Sequence, residues 1–249
     1  MDWYLYPLIV LAGFFAGFIN TLAGSGSLIT LPLLMALGLP ANIANGTNRI
    51  AILLQNIVGV SSFKKQKVLE FKSSVNLVVP AVLGSILGAI LAVDINEDIM
   101  KKTIGGLLLF MFFFILLKPS KWLKEQQVKS SLPYWLKAII FFIIGMYGGF
   151  IQAGVGFFLL SGLVLGAGYD LVRANAVKVF IILVYTAFAL VIFIINDQVD
   201  YKFGLILAIG NMLGAYVGAR FAVKWGPKFV RYLLLTTIIV AAVKLLGIV

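Results

Sequence analysis

The chain contains no cysteine and no histidine. The first absence excludes disulfides, thiolate metal sites and thiol catalysis. The second removes the usual proton shuttle and metal ligand near neutral pH. Charge is scarce as well. Only 12% of residues are Asp, Glu, Lys or Arg, where a soluble domain carries about a quarter. The acidic residues are Asp2, Glu70, Asp94, Glu97, Asp98, Glu125, Asp170, Asp197 and Asp200, and none falls in the middle of an apolar run. Cation- and proton-coupled carriers usually keep a carboxylate inside the membrane. A cation pump or a carboxylate-driven antiporter is therefore not expected.

What the chain does have is apolar sequence. Hydrophobic residues make up 62% of its 249 positions, and mean hydropathy is +1.08. They lie in long runs, so lipid is the expected solvent. Met1-Asp2-Trp3-Tyr4 lacks the basic start of a secretory signal, so the N-terminus is expected to be retained. The longest polar stretch, Lys118 to Pro133, is too short for a soluble domain. Net charge is +11. The basic residues cluster in short loops between apolar runs, which fits the positive-inside bias better than nucleic-acid binding.

Candidate spans run over 50–63, 74–93, 99–117, 177–195, 203–219 and 229–248. Each is near the roughly 20 residues that cross a hydrocarbon core. Two longer segments, 3–38 and 134–168, are interrupted by glycines. Each reads either as one long helix or as two short helices with a break.

The chain is also written twice. Ala23-Gly24-Ser25-Gly26 returns as Ala153-Gly154-Val155-Gly156, 130 positions later. The same offset pairs Gly38 with Gly168, Ala44-Asn45 with Ala174-Asn175, and Gly84 and Gly88 with Gly214 and Gly218. Gly17-Phe18-Ile19-Asn20 matches Gly149-Phe150-Ile151-Gln152 after a two-residue gap. A repeat of this length in an apolar chain points to a transporter of two related halves.

Charge counting assigns a topology. If both broken segments cross once, the 20 basic residues divide 11 to 9, almost without bias. If both are hairpins returning to their starting side, they divide 15 inside to 5 outside. The loop around Lys64–Lys72 is then inside and its repeat mate, Asn196–Lys202, outside. The expected fold is an all-α polytopic membrane protein of two inverted-topology repeats, each with three spanning helices plus a broken glycine-rich helical hairpin. Residues 1–117 form the first repeat, 118–133 a basic cytoplasmic linker and 134–249 the second repeat.

Breaking a helix at membrane depth exposes backbone amides, which is tolerable only inside protein or beside a wet cavity. The restarted helix presents free N–H groups and a partial positive charge. Two such starts, at Gly24-Ser25-Gly26 and Gly154-Val155-Gly156, would form an anion site. The bland reading is that small residues only let helices pack closely. The same reading suits Gly84/Gly88 and Gly214/Gly218. Asn20 and Gln152 precede the breaks, and either contact substrate or satisfy broken backbone. Downstream, Asn45-Gly46-Thr47-Asn48-Arg49 corresponds to Asn175-Ala176-Val177-Lys178-Val179. Asn45 and Asn175 read as substrate ligands or as helix N-caps. Arg49 and Lys178 either snorkel to headgroups or add positive charge at the two ends of the cavity. Asn211, Asn76, Gln55 and Asn56 are weaker polar candidates within the spans.

The run Gly13-x-x-x-Gly17-Phe18-x-Asn20-x-x-Ala23-Gly24-x-Gly26-Ser27, followed by Pro32, Gly38 and Ala44-Asn45-Gly46-Thr47-Asn48, resembles the TauE/SafE sulfite exporter family. The likeness extends over essentially the whole chain. The second half departs at Val155, Phe157 and Ala176-Val177-Lys178, where smaller or more polar residues are usual. The substrate is therefore expected nearer the first copy. The resemblance implies transport, commonly export, of sulfite, sulfoacetate or a related sulfur-containing anion across a bacterial or archaeal plasma membrane. No cofactor, metal or nucleic-acid partner is expected, and a homo-oligomer is left open. Three other readings compete. An intramembrane enzyme would have to rely on Ser, Thr, Tyr and Lys, with Ser25 and Lys178 as one conceivable pair. An assembly subunit would have a dry centre. A carrier or channel for another small solute would work in the uptake direction.

Overall fold

The computed structural model describes residues 5–69, 71–117 and 132–245. The described backbone is helical throughout, without strands. Its helices are α1 (Leu5–Ala23), α2 (Ser27–Ala36), α3 (Ala41–Lys65), α4 (Phe71–Val93), α5 (Glu97–Leu117), α6 (Tyr134–Phe150), α7 (Val155–Ser161), α8 (Leu171–Ile195) and α9 (Tyr201–Leu245). A π-helical turn, Gly162–Gly166, prolongs α7. Most of the expected linker, residues 118–133, lies outside the described residues.

Leu5–Ala23, Ser74–Val93, Leu171–Ile195 and Tyr201–Trp225 are long and apolar enough to cross a membrane. Their outward faces carry half-exposed Leu8, Leu11, Phe15, Leu83, Leu87, Phe188, Val191, Leu205 and Ile209. The interior holds Asn20, Asn45, Asn48, Arg49, Gln55, Asn56, Gln152, Asn175, Lys178 and Asn211, each less than a tenth exposed. Apolar outside and polar inside is the arrangement lipid demands, since a polar side chain facing hydrocarbon loses its hydrogen bonds.

Both glycine-interrupted segments are broken. α1 ends at Ala23 and α2 begins at Ser27, while α6 ends at Phe150 and α7 begins at Val155. Each folds back on itself. Gly26 lies on the Ala16 carbonyl and the Asn20 side chain. In the second segment the Tyr147 and Phe158 rings meet edge to face at 5.4 Å. Leu132 N–H then donates to the Gly166 carbonyl at 3.0 Å, joining the two ends of the segment.

Paired glycines set the helix packing. Gly210 and Gly214 of α9 lie against the carbonyls of Val10 and Phe14 of α1. Gly84 and Gly88 of α4 lie against those of Phe142 and Met146 of α6. In both pairs the contact numbers rise together, so the partners run parallel. α3 and α8 run antiparallel, since Gly46 meets Phe193 and Gly59 meets Val179. α3 also packs on α9, and α8 on α4.

Two expected boundaries are corrected. Spans 203–219 and 229–248 belong to one helix, Tyr201–Leu245. Position 227 is proline and the helix runs through it, although an interior proline removes one hydrogen bond. The span placed at 50–63 begins earlier, at Ala41. The polar run Asn45–Arg49 is helical because its side chains bond to neighbouring elements, as described below.

Candidate functional site

The two breaks touch. Gly24 has φ +79° and Gly154 has φ +73°, the left-handed conformation that glycine adopts without strain. The Cα atoms of Gly24 and Gly156 approach so closely that a methyl on either would overlap the other residue. Gly156 N–H donates to the Gly24 carbonyl at 3.2 Å. The remaining positive-φ residues repeat the 130-residue offset, Gly38 with Gly168 and Lys67 with Asp197. The helices that restart here, α2 and α7, have Gly26 and Gly154 at their N-caps and no side-chain cap.

Each broken helix ends on a buried cation. The Lys178 Nζ donates to the carbonyls of Asn20 and Thr21 at 3.0 and 2.9 Å, in the last turn of α1. It also donates to Asn175 Oδ1 at 2.7 Å. Arg49 does the same for α6: Nη1 donates to the Gly148 carbonyl at 3.2 Å and Nη2 to those of Gly149 and Phe150. Asn45 Nδ2 joins it on Phe150 at 2.8 Å. The Arg49 guanidinium stacks 4.4 Å over the Phe193 ring. The last carbonyls of a helix lack intrahelical partners and carry its negative end. The two cations satisfy them.

Snorkelling is therefore excluded for both residues, since Arg49 and Lys178 are each 0% exposed. The N-cap reading of Asn45 and Asn175 also fails. Pro40 precedes α3, and the Asp170 carboxylate caps α8 by accepting from Val172 N and Arg173 N. Both asparagines lie within their helices and serve the cation sites. Thr47 points elsewhere, its Oγ1 accepting from Asp200 N at 2.8 Å in the α8–α9 connection. Lys178 bonds carbonyls and an amide, and no bond to Ser25 accompanies them.

A polar network surrounds the breaks. Gln55 Oε1 accepts from Asn20 Nδ2 at 3.3 Å and from Asn211 Nδ2 at 3.2 Å. Across the pseudo-repeat, Gln152 Nε2 donates to the Thr186 hydroxyl at 2.9 Å and the Tyr185 hydroxyl at 3.5 Å. Thr30 Oγ1 donates to Asn48 Oδ1 at 2.7 Å. Asn76 is exposed and takes no part. Thr30, Tyr185 and Thr186 are additions that the motifs did not single out. The repeat offset held the signal, since Gln55 and Asn56 stand 130 positions before Tyr185 and Thr186.

The electrostatics follow from this inventory. The described acidic residues are Asp94, Glu97, Asp98, Asp170, Asp197 and Asp200, all in connections or at helix starts. None reaches Arg49 or Lys178. A helix end offsets about half a unit charge, so each cation keeps a positive surplus in a low-dielectric centre. Buried side-chain donors without a protein partner are the Thr21, Ser25 and Ser27 hydroxyls, Asn48 Nδ2, Arg49 Nε and Asn175 Nδ2. Buried acceptors without one are the side-chain oxygens of Asn42, Asn45, Asn56, Gln152, Gln198 and Asn211.

The profile of the family described as Sulfite exporter TauE/SafE matches residues 9–245. The chain belongs to the TauE/SafE family. It is similar to the Probable membrane transporter protein ORF9 of Sinorhizobium sp, with 30% identity over 247 residues, covering 99% of this chain and 94% of the relative. It is similar to the Probable membrane transporter protein YfcA of Escherichia coli K12, 29% identical and covering 96% and 90%. An archaeal relative, Probable membrane transporter protein MJ0441 of Methanocaldococcus jannaschii, is 23% identical and covers 92% and 91%. No solved structure matches the chain. Like its TauE/SafE relatives, the chain is a multi-pass membrane protein of a transporter family.

Proposed function

We propose that the protein carries a small sulfur-containing oxyanion, sulfite or an organosulfonate such as sulfoacetate, outward through a site at the paired helix breaks. One observation carries this reading: two buried cations, Arg49 and Lys178, stand at those breaks without a carboxylate partner. Ser25, Ser27, Asn48 and the start of α2 supply donors for the oxyanion on the first-repeat side. Around Gly154-Val155-Gly156 the donors are fewer, so the substrate lies nearer the first copy. The family description supports sulfite as the substrate class. The relatives' printed names give neither substrate nor direction.

The halves, 1–117 and 134–249, are two inverted repeats in this reading. Support comes from the repeat mates α3 and α8, which run antiparallel, and from packing in which α1–α9 and α4–α6 exchange when the halves exchange. The charge division no longer bears on it, because Arg220, Lys224, Lys228 and Arg231, counted as a loop on the inside, lie within the single helix α9, and Arg49 and Lys178 are interior. Inverted repeats supply a carrier with two related arrangements, one open to each side.

Because the cations are built in, no coupling cation is needed to neutralise the substrate. Moving one negative charge out of an inside-negative cell gains about 2.3 kcal/mol per 100 mV. The membrane potential alone then drives export. The test is flux in proteoliposomes against sulfite, sulfoacetate, sulfate and carboxylic acids. Saturable sulfite or sulfonate flux lost in Arg49→Ala is the expected result. Preferential transport of a cation would overturn the reading, and inward flux of another anion would favour an uptake carrier.

A further inference from the structure

A second cationic site lies apart from the helix breaks, in a cleft of about 330 Å³ between α3 and α9. That volume is at the lower end of small-ligand pockets, which start at roughly 300 Å³. Its mouth carries Lys65, the last residue of α3, and Arg220, both exposed. Ser61, Ser62 and Gln66 line the same end. Gln66 Nε2 donates to the Ala219 carbonyl at 3.3 Å, which fixes the end of α3 against α9. The Arg220 guanidinium lies 4.2 Å over the Tyr216 ring, so its aromatic neighbour holds it at the mouth.

The opposite end of the cleft is apolar. Ile57 and Val58 line it, and half-exposed Leu213 continues that surface along α9. Beyond the cationic end, half-exposed Trp225 stacks on Phe221 with ring centroids 4.4 Å apart. Lys65 ends α3, and exposed tryptophan is enriched at the headgroup level. The cleft therefore opens where a phosphate would sit, with its apolar wall pointing toward the acyl chains. Neither Lys65 nor Arg220 has a carboxylate within ion-pair distance among the described residues.

We propose that this cleft binds an acidic phospholipid, its phosphate between Lys65 and Arg220 and its first acyl carbons along Ile57 and Val58. Basic pockets between membrane helices take anionic headgroups for this reason. The apolar wall selects a lipid over free phosphate, which would gain nothing from it.

The test uses the purified full chain in neutral detergent. Native mass spectrometry measures retained phosphatidylglycerol against phosphatidylcholine of the same acyl chains, and thermal unfolding is followed with each lipid and with inorganic phosphate. Phosphatidylglycerol is expected to be retained preferentially and to raise the midpoint, with no rise from phosphate. In Lys65→Gln/Arg220→Gln its binding weakens roughly thirtyfold, the loss of two headgroup cations. Both side chains are exposed, so the variant should fold, with circular dichroism and size exclusion as the check. Equal retention of the two lipids, an equal shift from phosphate, or unchanged binding by the double variant would each overturn the proposal.

Discussion

Lys178 and Arg49 look like one device used twice, but they are chemically different. An ammonium is a point charge with three donors, and Lys178 spends them on Asn20, Thr21 and Asn175. A guanidinium is a planar fork, and Arg49 spans the carbonyls of Gly148, Gly149 and Phe150. Arg49→Lys is therefore not conservative. Hydrogen bonds to charged groups contribute about 1.5–3 kcal/mol. Arg49 Nε has no protein partner, and losing its hydrogen bond to a bound anion weakens apparent affinity roughly ten- to a hundredfold. Substrate flux measured against concentration should show that loss in Arg49→Ala, whereas Lys178, with its donors all taken, acts by charge alone. Lys178→Met keeps the side-chain volume but leaves the Asn20 and Thr21 carbonyls and Asn175 Oδ1 without their donor, and a buried unpaired acceptor costs about 1–3 kcal/mol. Its thermal midpoint should therefore fall, and flux per folded protein, measured below that midpoint, should fall further. Flux that only tracks the folded fraction would make Lys178 a purely structural residue. Ser25 and Ser27 belong at this scale too, since their buried hydroxyls have no protein partner. Replacing both by alanine should raise the concentration for half-maximal flux with little loss of stability.

At the scale of elements, the glycines are constraints of different kinds. Gly24 and Gly156 pack Cα against Cα, and Gly24 is also left-handed. Gly24→Ala and Gly156→Ala should each lower stability by about 1–3 kcal/mol, the usual cost of overpacking. Gly105 in α5 has no neighbour within 4 Å of an added Cβ. Gly105→Ala should then be neutral or stabilising by up to about 1 kcal/mol. Thermal unfolding of the three variants in one detergent checks the contrast. The helix breaks were legible in the sequence because glycine repeats with polar neighbours have few other uses in an apolar run. The end of α9 was not, since 203–219 and 229–248 read as two spans and one helix runs through both. The cation sites were half legible. Arg49 and Lys178 could be seen as correspondents, but a charge near the start of a span reads either as snorkelling or as a cation at the cavity. The partners that hold them are backbone carbonyls some 100 and 157 residues away. Carbonyls are present at every residue and leave no mark in a sequence pattern.

For the whole molecule, the account joins two inverted halves at a positively charged centre. Cysteine-free sequence makes the inversion directly testable. Single cysteines at Lys67 and Gln198 occupy the α3–α4 and α8–α9 connections. They should react with a membrane-impermeant maleimide from opposite faces of sealed vesicles. Labelling from the same face would remove the inverted plan. The charge at the centre carries the functional claim. If Arg49 and Lys178 neutralise the substrate in place of a coupling ion, transport moves net negative charge and responds to voltage. Sulfite efflux from proteoliposomes under an imposed potassium-diffusion potential tests this most directly. An inside-negative potential should accelerate saturable efflux in the parent chain, without sodium or a proton gradient, and Arg49→Ala should abolish it. Efflux that ignores the potential, or that requires a co-transported cation, would contradict the account.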